Sequence, residues 1–174
     1  MPLEEIRAAR TVARTALSDE VRRRTGTPLD PGALTLGFAR RATAYKRADL
    51  LFSAPGRLRR IARDHGPLQV VYAGKAHPRD LEGKAMIRRV HEGAEALAGD
   101  VRVIWLEDYD MDLARTVCAG VDVWLNTPQR PLEASGTSGM KAALNGVPSL
   151  SVPDGWWVEG LVEGVTGWSI GGEW

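Results

Sequence analysis

The sequence predicts an α/β fold, a parallel β-sheet covered by helices on both faces. Short apolar runs alternate with longer stretches of helical period, and residues suited to anion chemistry recur just after those runs. Residues 34–38, 68–73, 101–106, 121–125 and 149–152 read as strands, each an apolar run of strand length. Between them, residues 49–62, 80–98, 111–118 and 139–145 read as helices or helix-containing connections. Repetition of this kind implies parallel strands buried on both sides and joined by right-handed crossovers. Ahead of the first strand, Leu3, Ile6, Ala9, Val12, Ala13 and Leu17 recur at helical spacing. Residues 1–30 therefore read as a lead-in helical segment ending before Thr27-Pro28-Leu29-Asp30-Pro31, and residues 31–174 hold the sheet. Ligands of such sheets bind at the carboxyl ends of the strands, and Arg41, Gly74, Tyr109 and the loop at Glu133 all follow predicted strands.

Composition bounds the class. With 174 residues, 44% of them hydrophobic and 26% charged, the chain can bury one sizeable core. A net charge of +1 gives no global basicity to attract nucleic acid. Arg57, Arg59, Arg60 and Arg63 make a locally cationic helix face that reads as solvated. Cys118 is the only cysteine, so the chain holds neither a disulfide framework nor a thiolate zinc site, and no metal is called for. There is no apolar signal region near the N-terminus and no run approaching the ~20 apolar residues of a membrane span, so a cytoplasmic location is expected.

The chemistry concentrates in Glu133-Ala134-Ser135-Gly136-Thr137-Ser138-Gly139-Met140-Lys141, a small-residue loop that runs into a helix. Unpaired amides and the macrodipole at a helix start form a cradle for an anion such as phosphate. Lys141, one of four lysines, is expected in the first turn of that helix. A desolvated amine there, beside other cations, would be a nucleophile or Schiff-base former. A phosphate-bearing aldehyde satisfies both halves. Taken alone, the loop reads equally as ordinary capping and the lysine as a solvated charge.

Further segments carry a resemblance. Arg41 and Lys46 are separated by four residues in Leu36-Gly37-Phe38-Ala39-Arg40-Arg41-Ala42-Thr43-Ala44-Tyr45-Lys46. Val70-Val71-Tyr72-Ala73-Gly74-Lys75-Ala76 and Val103-Ile104-Trp105-Leu106-Glu107-Asp108-Tyr109 follow in order, and then the Glu133–Gly146 segment. Together these resemble the α-glucan phosphorylases, the glycogen, starch and maltodextrin phosphorylase family. The resemblance implies the second, cofactor-binding Rossmann-like domain of a two-domain GT-B glycosyltransferase, in a chain that stops at Gly171-Gly172-Glu173-Trp174 and lacks the first domain. None of His65, His77 and His91 matches the catalytic histidine of that domain.

The implied reaction is phosphorolysis of the nonreducing terminal glucose of an α-1,4-glucan by orthophosphate, giving glucose 1-phosphate. The implied cofactor is pyridoxal 5'-phosphate, held as a Schiff base on Lys141 and by Thr137, Ser138, Arg40 and Tyr109, with its phosphate acting as proton donor and acceptor. Arg41 and Lys46 would bind orthophosphate, a task suited to a bidentate guanidinium and an ammonium. Glu133, Ser135 and Gly136 would bind hydroxyls of the terminal glucose.

Thr43 and Ala44 stand where animal members have histidine and glutamate, Asp110 stands for arginine, and Ser138-Gly139 stands for Gly-Asn. These changes resemble the shorter bacterial branch and give no ground to expect animal-type regulation. Oligomeric state is left open. The alternatives are a nucleotide-sugar glycosyltransferase of the same architecture and a noncatalytic fragment. The first commonly has a glutamate eight positions after the first; Lys141 occupies that position here and cannot accept from ribose hydroxyls. Trp156-Trp157 reads either as a sugar-stacking pair or as packing or domain-interface surface.

Overall fold

The computed structural model describes residues 2–171, so Gly172, Glu173 and Trp174 of the terminal run lie outside the described residues. The strands are β1 (Leu34–Ala39), β2 (Leu68–Ala73), β3 (Arg102–Leu106), β4 (Val123–Asn126), β5 (Ser149–Ser151) and β6 (Gly167–Ser169). They form one parallel sheet in the order β3-β2-β1-β4-β5-β6. The helices are α1 (Leu3–Thr25), α2 (Pro55–His65), α3 (Leu81–Ala96), α4 (Met111–Gly120), α5 (Thr137–Leu144) and the short α6 (Trp157–Gly160).

Strand periodicity sorts the core into two layers. Along β2, Val71 and Ala73 face a cluster with Leu17 and Val21 of α1, Leu113 and Val117 of α4, and Ala142 of α5. The alternate residues Leu68, Val70 and Tyr72 face Leu58 of α2 and Met86 and Val90 of α3. Every residue of β2 is buried, which is why it reads as an apolar run broken only by Gln69, whose side chain is hydrogen-bonded to Asp30 and Thr35. Fully burying each such Val or Leu side chain contributes roughly 1.5–3 kcal/mol.

This layering explains the strand order. Helices α2 and α3 cover one face while the chain steps from β1 to β2 to β3; α4 then covers the other face and returns the chain to the far side of β1 as β4. The direction of travel reverses between β1 and β4, so the loops leaving these two strands diverge and leave a crevice. Residues 40–47 leave β1 there and residues 127–136 leave β4 there. The segments are tied to each other: the Thr127 hydroxyl donates to the Lys46 carbonyl at 2.9 Å, and the Arg47 guanidinium donates to the Thr127 and Pro128 carbonyls at 3.0 and 2.7 Å.

The structure refines the predicted elements in three places. The helix read over 49–62 is a 3-10 turn, Ala48–Ser53, followed by α2, because Pro55 lacks an N–H and forces Ala54 out of the helical region (φ −138°, ψ 67°). The apolar face of α1 is covered only from its middle onward. Leu3, Ile6 and Val12 are exposed while Leu17 and Val21 are fully buried, and Arg10 holds the overhanging half by donating to the Ala119 and Val121 carbonyls at 2.6 and 2.8 Å. Both α6 and β6 arise in residues that carry no strand- or helix-length periodicity.

Candidate functional site

A cavity of about 410 Å³ opens at the β1/β4 reversal. Arg40, Arg41, Lys46, Tyr109, Glu133, Ser135, Gly136, Thr137, Ser138 and Lys141 all line it. The residues that the resemblance assigns to cofactor, phosphate and terminal glucose are thus brought to one place, from segments following β1, β3 and β4; Gly74, Trp156 and Trp157 are not part of its lining.

The β1 side is a buried charge cluster. Arg40, Lys46 and Glu133 are each nearly inaccessible. Arg40 Nη2 donates to Glu133 Oε2 at 2.7 Å, Lys46 Nζ donates to the same oxygen, and Arg40 Nη1 donates to Asn126 Oδ1. Asn126 Nδ2 in turn donates to Ser151 Oγ at 2.9 Å, so the network reaches the ends of β4 and β5. Burial pushes the Arg40 guanidinium below its ordinary pKa, against the opposing pull of Glu133. Lys46 also lies 4.4 Å from the centroid of the Tyr45 ring, a second favourable contact for its charge. Arg41, next to Arg40, is exposed at the cavity wall. The lining carries four cations, Arg40, Arg41, Lys46 and Lys141, against the single carboxylate of Glu133, so the cavity attracts anions.

The α5 side is built from backbone and small residues. Gly136 takes the left-handed conformation (φ 79°) that turns the loop into α5. The Thr137 and Ser138 amides stand in the first turn, where a helix offers no intrahelical acceptor. The helix starts two residues earlier than the sequence pattern indicates, which moves Lys141 out of the first turn. At three and four residues from Ser138 and Thr137, Lys141 shares their helix face. The expected desolvation of Lys141 is corrected: the side chain is exposed, because it stands on the outer face of α5 with Thr137 and Leu144, which are exposed too, while Ala142 faces the core. Ser135 is likewise exposed. Tyr109 is half-buried and donates from its hydroxyl to the Ala39 carbonyl at 3.2 Å, and burial raises its pKa.

A second cavity, of about 720 Å³, adjoins the first and shares Tyr109 and Lys141 with it. Its other walls include Met111, Ala114, Cys118 and Leu144 and are largely apolar. Burial pushes the Cys118 thiol up to about 11, with Lys141 opposing. Lys141 therefore stands between a cationic compartment and an apolar one. Two buried polar atoms on the lining of the first compartment, Arg40 Nε and Ser138 Oγ, have no hydrogen-bond partner, an arrangement suited to an incoming acceptor.

Asn126, Ser151 and Asp154 were not singled out from the sequence, yet all three are buried behind the site. Polar residues at the ends of the apolar runs 123–125 and 149–152 were the available signal. The remaining candidates resolve as packing or surface. His91 packs against Trp105 in a tilted arrangement with ring centroids 5.4 Å apart. Trp157 is 1% exposed, so of the two readings for the tryptophan pair it takes packing. Arg59 and Arg63 pair with Asp100 and Asp64. No helix of the described residues is long and apolar enough to cross a membrane.

Comparison with known proteins gives a consistent result. The family model described as carbohydrate phosphorylase matches residues 2–166. The chain is 53% identical over 144 residues to a glycogen phosphorylase of Aquifex aeolicus, covering 82% of this chain and 21% of that protein. It is 53% identical over 146 residues to a maltodextrin phosphorylase of Thermococcus litoralis, covering 83% and 17%. With a glycogen phosphorylase of Mycobacterium tuberculosis (strain H37Rv) the identity is 50% over 145 residues, with the same shares. The chain thus spans about a fifth of the length of the relatives it matches. A parallel sheet with its crevice at the strand reversal, a cationic cavity there, and a match over nearly the whole sequence agree: the chain belongs to the carbohydrate phosphorylase family.

Proposed function

We propose that this chain is the cofactor-binding part of an α-1,4-glucan phosphorylase, with residues 31–174 as its Rossmann-like domain and residues 1–30 leading into it. The reaction is cleavage of the nonreducing terminal glucose of a glycogen- or maltodextrin-type glucan by orthophosphate to give glucose 1-phosphate. The observation that carries the proposal is the position of Lys141, shared by an apolar compartment and a cationic one. A flat aldehyde-bearing ring suits the first and its phosphate the second.

Lys141, Thr137, Ser138, Arg40 and Tyr109 would hold pyridoxal 5'-phosphate. When bound, its phosphate supplies a group able to give and take a proton beside the substrate phosphate. The orphaned Arg40 Nε and Ser138 Oγ fit such a ligand, as do the Thr137 and Ser138 amides at the start of α5. Arg41 and Lys46 hold orthophosphate and offset the repulsion between two phosphates brought together. Glu133 accepts both of its cationic bonds on Oε2, which leaves Oε1 to accept from a sugar hydroxyl. Together with Ser135 and Gly136 it fixes the orientation of the terminal glucose, and orientation of this kind lowers the barrier by several kcal/mol. The remaining four-fifths of the enzyme would complete the other wall, exclude water and carry the glucan. A cytoplasmic location, where glucan and orthophosphate are both at hand, goes with this function.

The test is borohydride reduction of the chain with pyridoxal phosphate, followed by peptide mapping. The adduct is expected on Lys141, with little on Lys46, Lys75 or Lys84. Even labelling of all four lysines in folded protein would refute the assignment. Saturable binding of a nucleoside-diphosphate glucose in its place would move it to the glycosyltransferase alternative.

A further inference from the structure

Behind the α5 side of the cavity lies the turn Asp154-Gly155-Trp156, which follows β5 and takes no part in lining the cavity. Its backbone is docked directly on the loop that carries Glu133 and Ser135. Asp154, itself buried, accepts from the Glu133 amide at 2.9 Å through Oδ2 and from the Gly155 amide at 3.0 Å through Oδ1. The Trp156 amide donates to the Ser135 carbonyl at 2.9 Å. Gly155 adopts φ +57°, and a Cβ there would stand 2.5 Å from the Ser135 carbonyl oxygen, so no side chain fits between the two segments.

The Trp156 indole occupies a slot defined by three glycines. A Cβ on Gly139, inside α5, would stand 3.1 Å from Trp156 Nε1; one on Gly136, at the start of α5, would stand 3.5 Å from Cδ1; and one on Gly160 would overlap the six-membered ring. The ring is backed edge-on by the buried Trp157, with centroids 5.4 Å apart at 67°. An aromatic ring has few internal degrees of freedom, so it transmits position with little slack. Small residues at 136, 139 and 160 admit the ring to contact with helix backbone.

We propose that Trp156 is a positioning residue for the anion site: its indole, seated against Gly136, Gly139 and Gly160, sets where α5 begins, and so where the Thr137 and Ser138 amides and the Lys141 amine stand relative to Glu133. Asp154 fixes the other end of the same loop through the Glu133 amide. Only the identity of the ligand rests on the function proposed above; the mechanical coupling stands on the packing alone. Removal of the ring should loosen the α5 side while the buried cluster on the β1 side keeps its place.

The experiment compares the chain with its Trp156→Ala, Trp156→Phe and Gly139→Ala variants by hydrogen exchange and by borohydride trapping of pyridoxal phosphate. In Trp156→Ala, amides of residues 133–141 are expected to exchange about tenfold faster, with β1 and β2 unchanged. Trapping at Lys141 should fall about tenfold relative to Lys75 and Lys84, since displacements near 1 Å have effects of this order or larger. Trp156→Phe should restore most of both, and Gly139→Ala should reproduce the local exchange increase by pushing on the ring. Unchanged exchange in 133–141, or an increase spread evenly over the sheet, overturns the proposal. If Trp156→Ala does not fold, the Phe and Gly139 variants decide: wild-type exchange around α5 in Gly139→Ala overturns it. Absence of trapping in the wild-type chain together with the local exchange pattern would refute the cofactor assignment and leave the positioning role intact.

Discussion

On the β1 side of the cavity, Arg40 and Lys46 are buried and held by side-chain bonds to Glu133 and Asn126. On the α5 side, Lys141 and Ser135 are exposed, and what is buried is glycine and backbone. One side stores its specificity in charge pairing and the other in chain geometry. A buried ion cluster is sensitive to loss of any member, because the remaining charges are left in a medium that solvates them poorly. An exposed lysine on a helix can be removed with little structural consequence, so its value must lie in what it binds.

The sharpest break of this contrast is Glu133→Ala. With two buried cations left facing each other, unfolding in urea should show a loss of about 3 kcal/mol. A loss near zero would mean that water already screens the pair. Gly74→Ala should follow, because a Cβ there runs into the Arg40 carbonyl; the expected cost is about 2 kcal/mol by overpacking, with weakened anion binding as the end of β1 shifts.

The apolar compartment can be probed through Cys118. Its thiol, raised to about 11 from an ordinary 9.0, stays protonated through neutral pH, so alkylation at pH 8 should be about 100-fold slower than for a free thiol. For a raised folded-state value, the associated stability is complete below the ordinary value of 9.0 and is lost as pH rises through about 11. Fast alkylation of folded protein at pH 8 would show that the compartment is open to water. The smallest effect is reserved for Lys141→Ala. Stability should change by less than about 0.5 kcal/mol while trapping of pyridoxal phosphate disappears. A large stability loss there would erase the distinction between the two sides.

Much of this arrangement was legible before the structure. The five predicted strands fall within two residues of the observed ones because buried parallel strands are short and mostly apolar, a signal that depends on composition more than on context. Arg41, Lys46, Glu133 and Lys141 stood out because the segments that carry them resemble, in order, those of the α-glucan phosphorylases; taken singly, each reads as well as a surface charge. The connection over 49–62 does contain a helix, and its division before α2 follows from the way Pro55 restricts Ala54, a local rule present in the sequence. Strand β6 was missed because three residues carry too little periodicity to register.

Other features had no local signal at all. The pairing of Lys46 with Glu133 joins residues far apart in the chain, and it exists because β1 and β4 are neighbours at the reversal of the sheet. Trp156 could have stacked on a sugar or packed on glycine; the approach of the β5 turn to α5 chose the latter. The exposure of Leu3, Ile6 and Val12, against the burial of Leu17 and Val21 on the same helix, is likewise set by tertiary packing. Most elements, the sheet class and the residue types available for anion chemistry follow from local sequence, because period, propensity and capping act over a few residues. Tertiary structure alone decided which charges neutralise one another and which ring fixes which helix, because those are contacts between segments that only the strand order brings together.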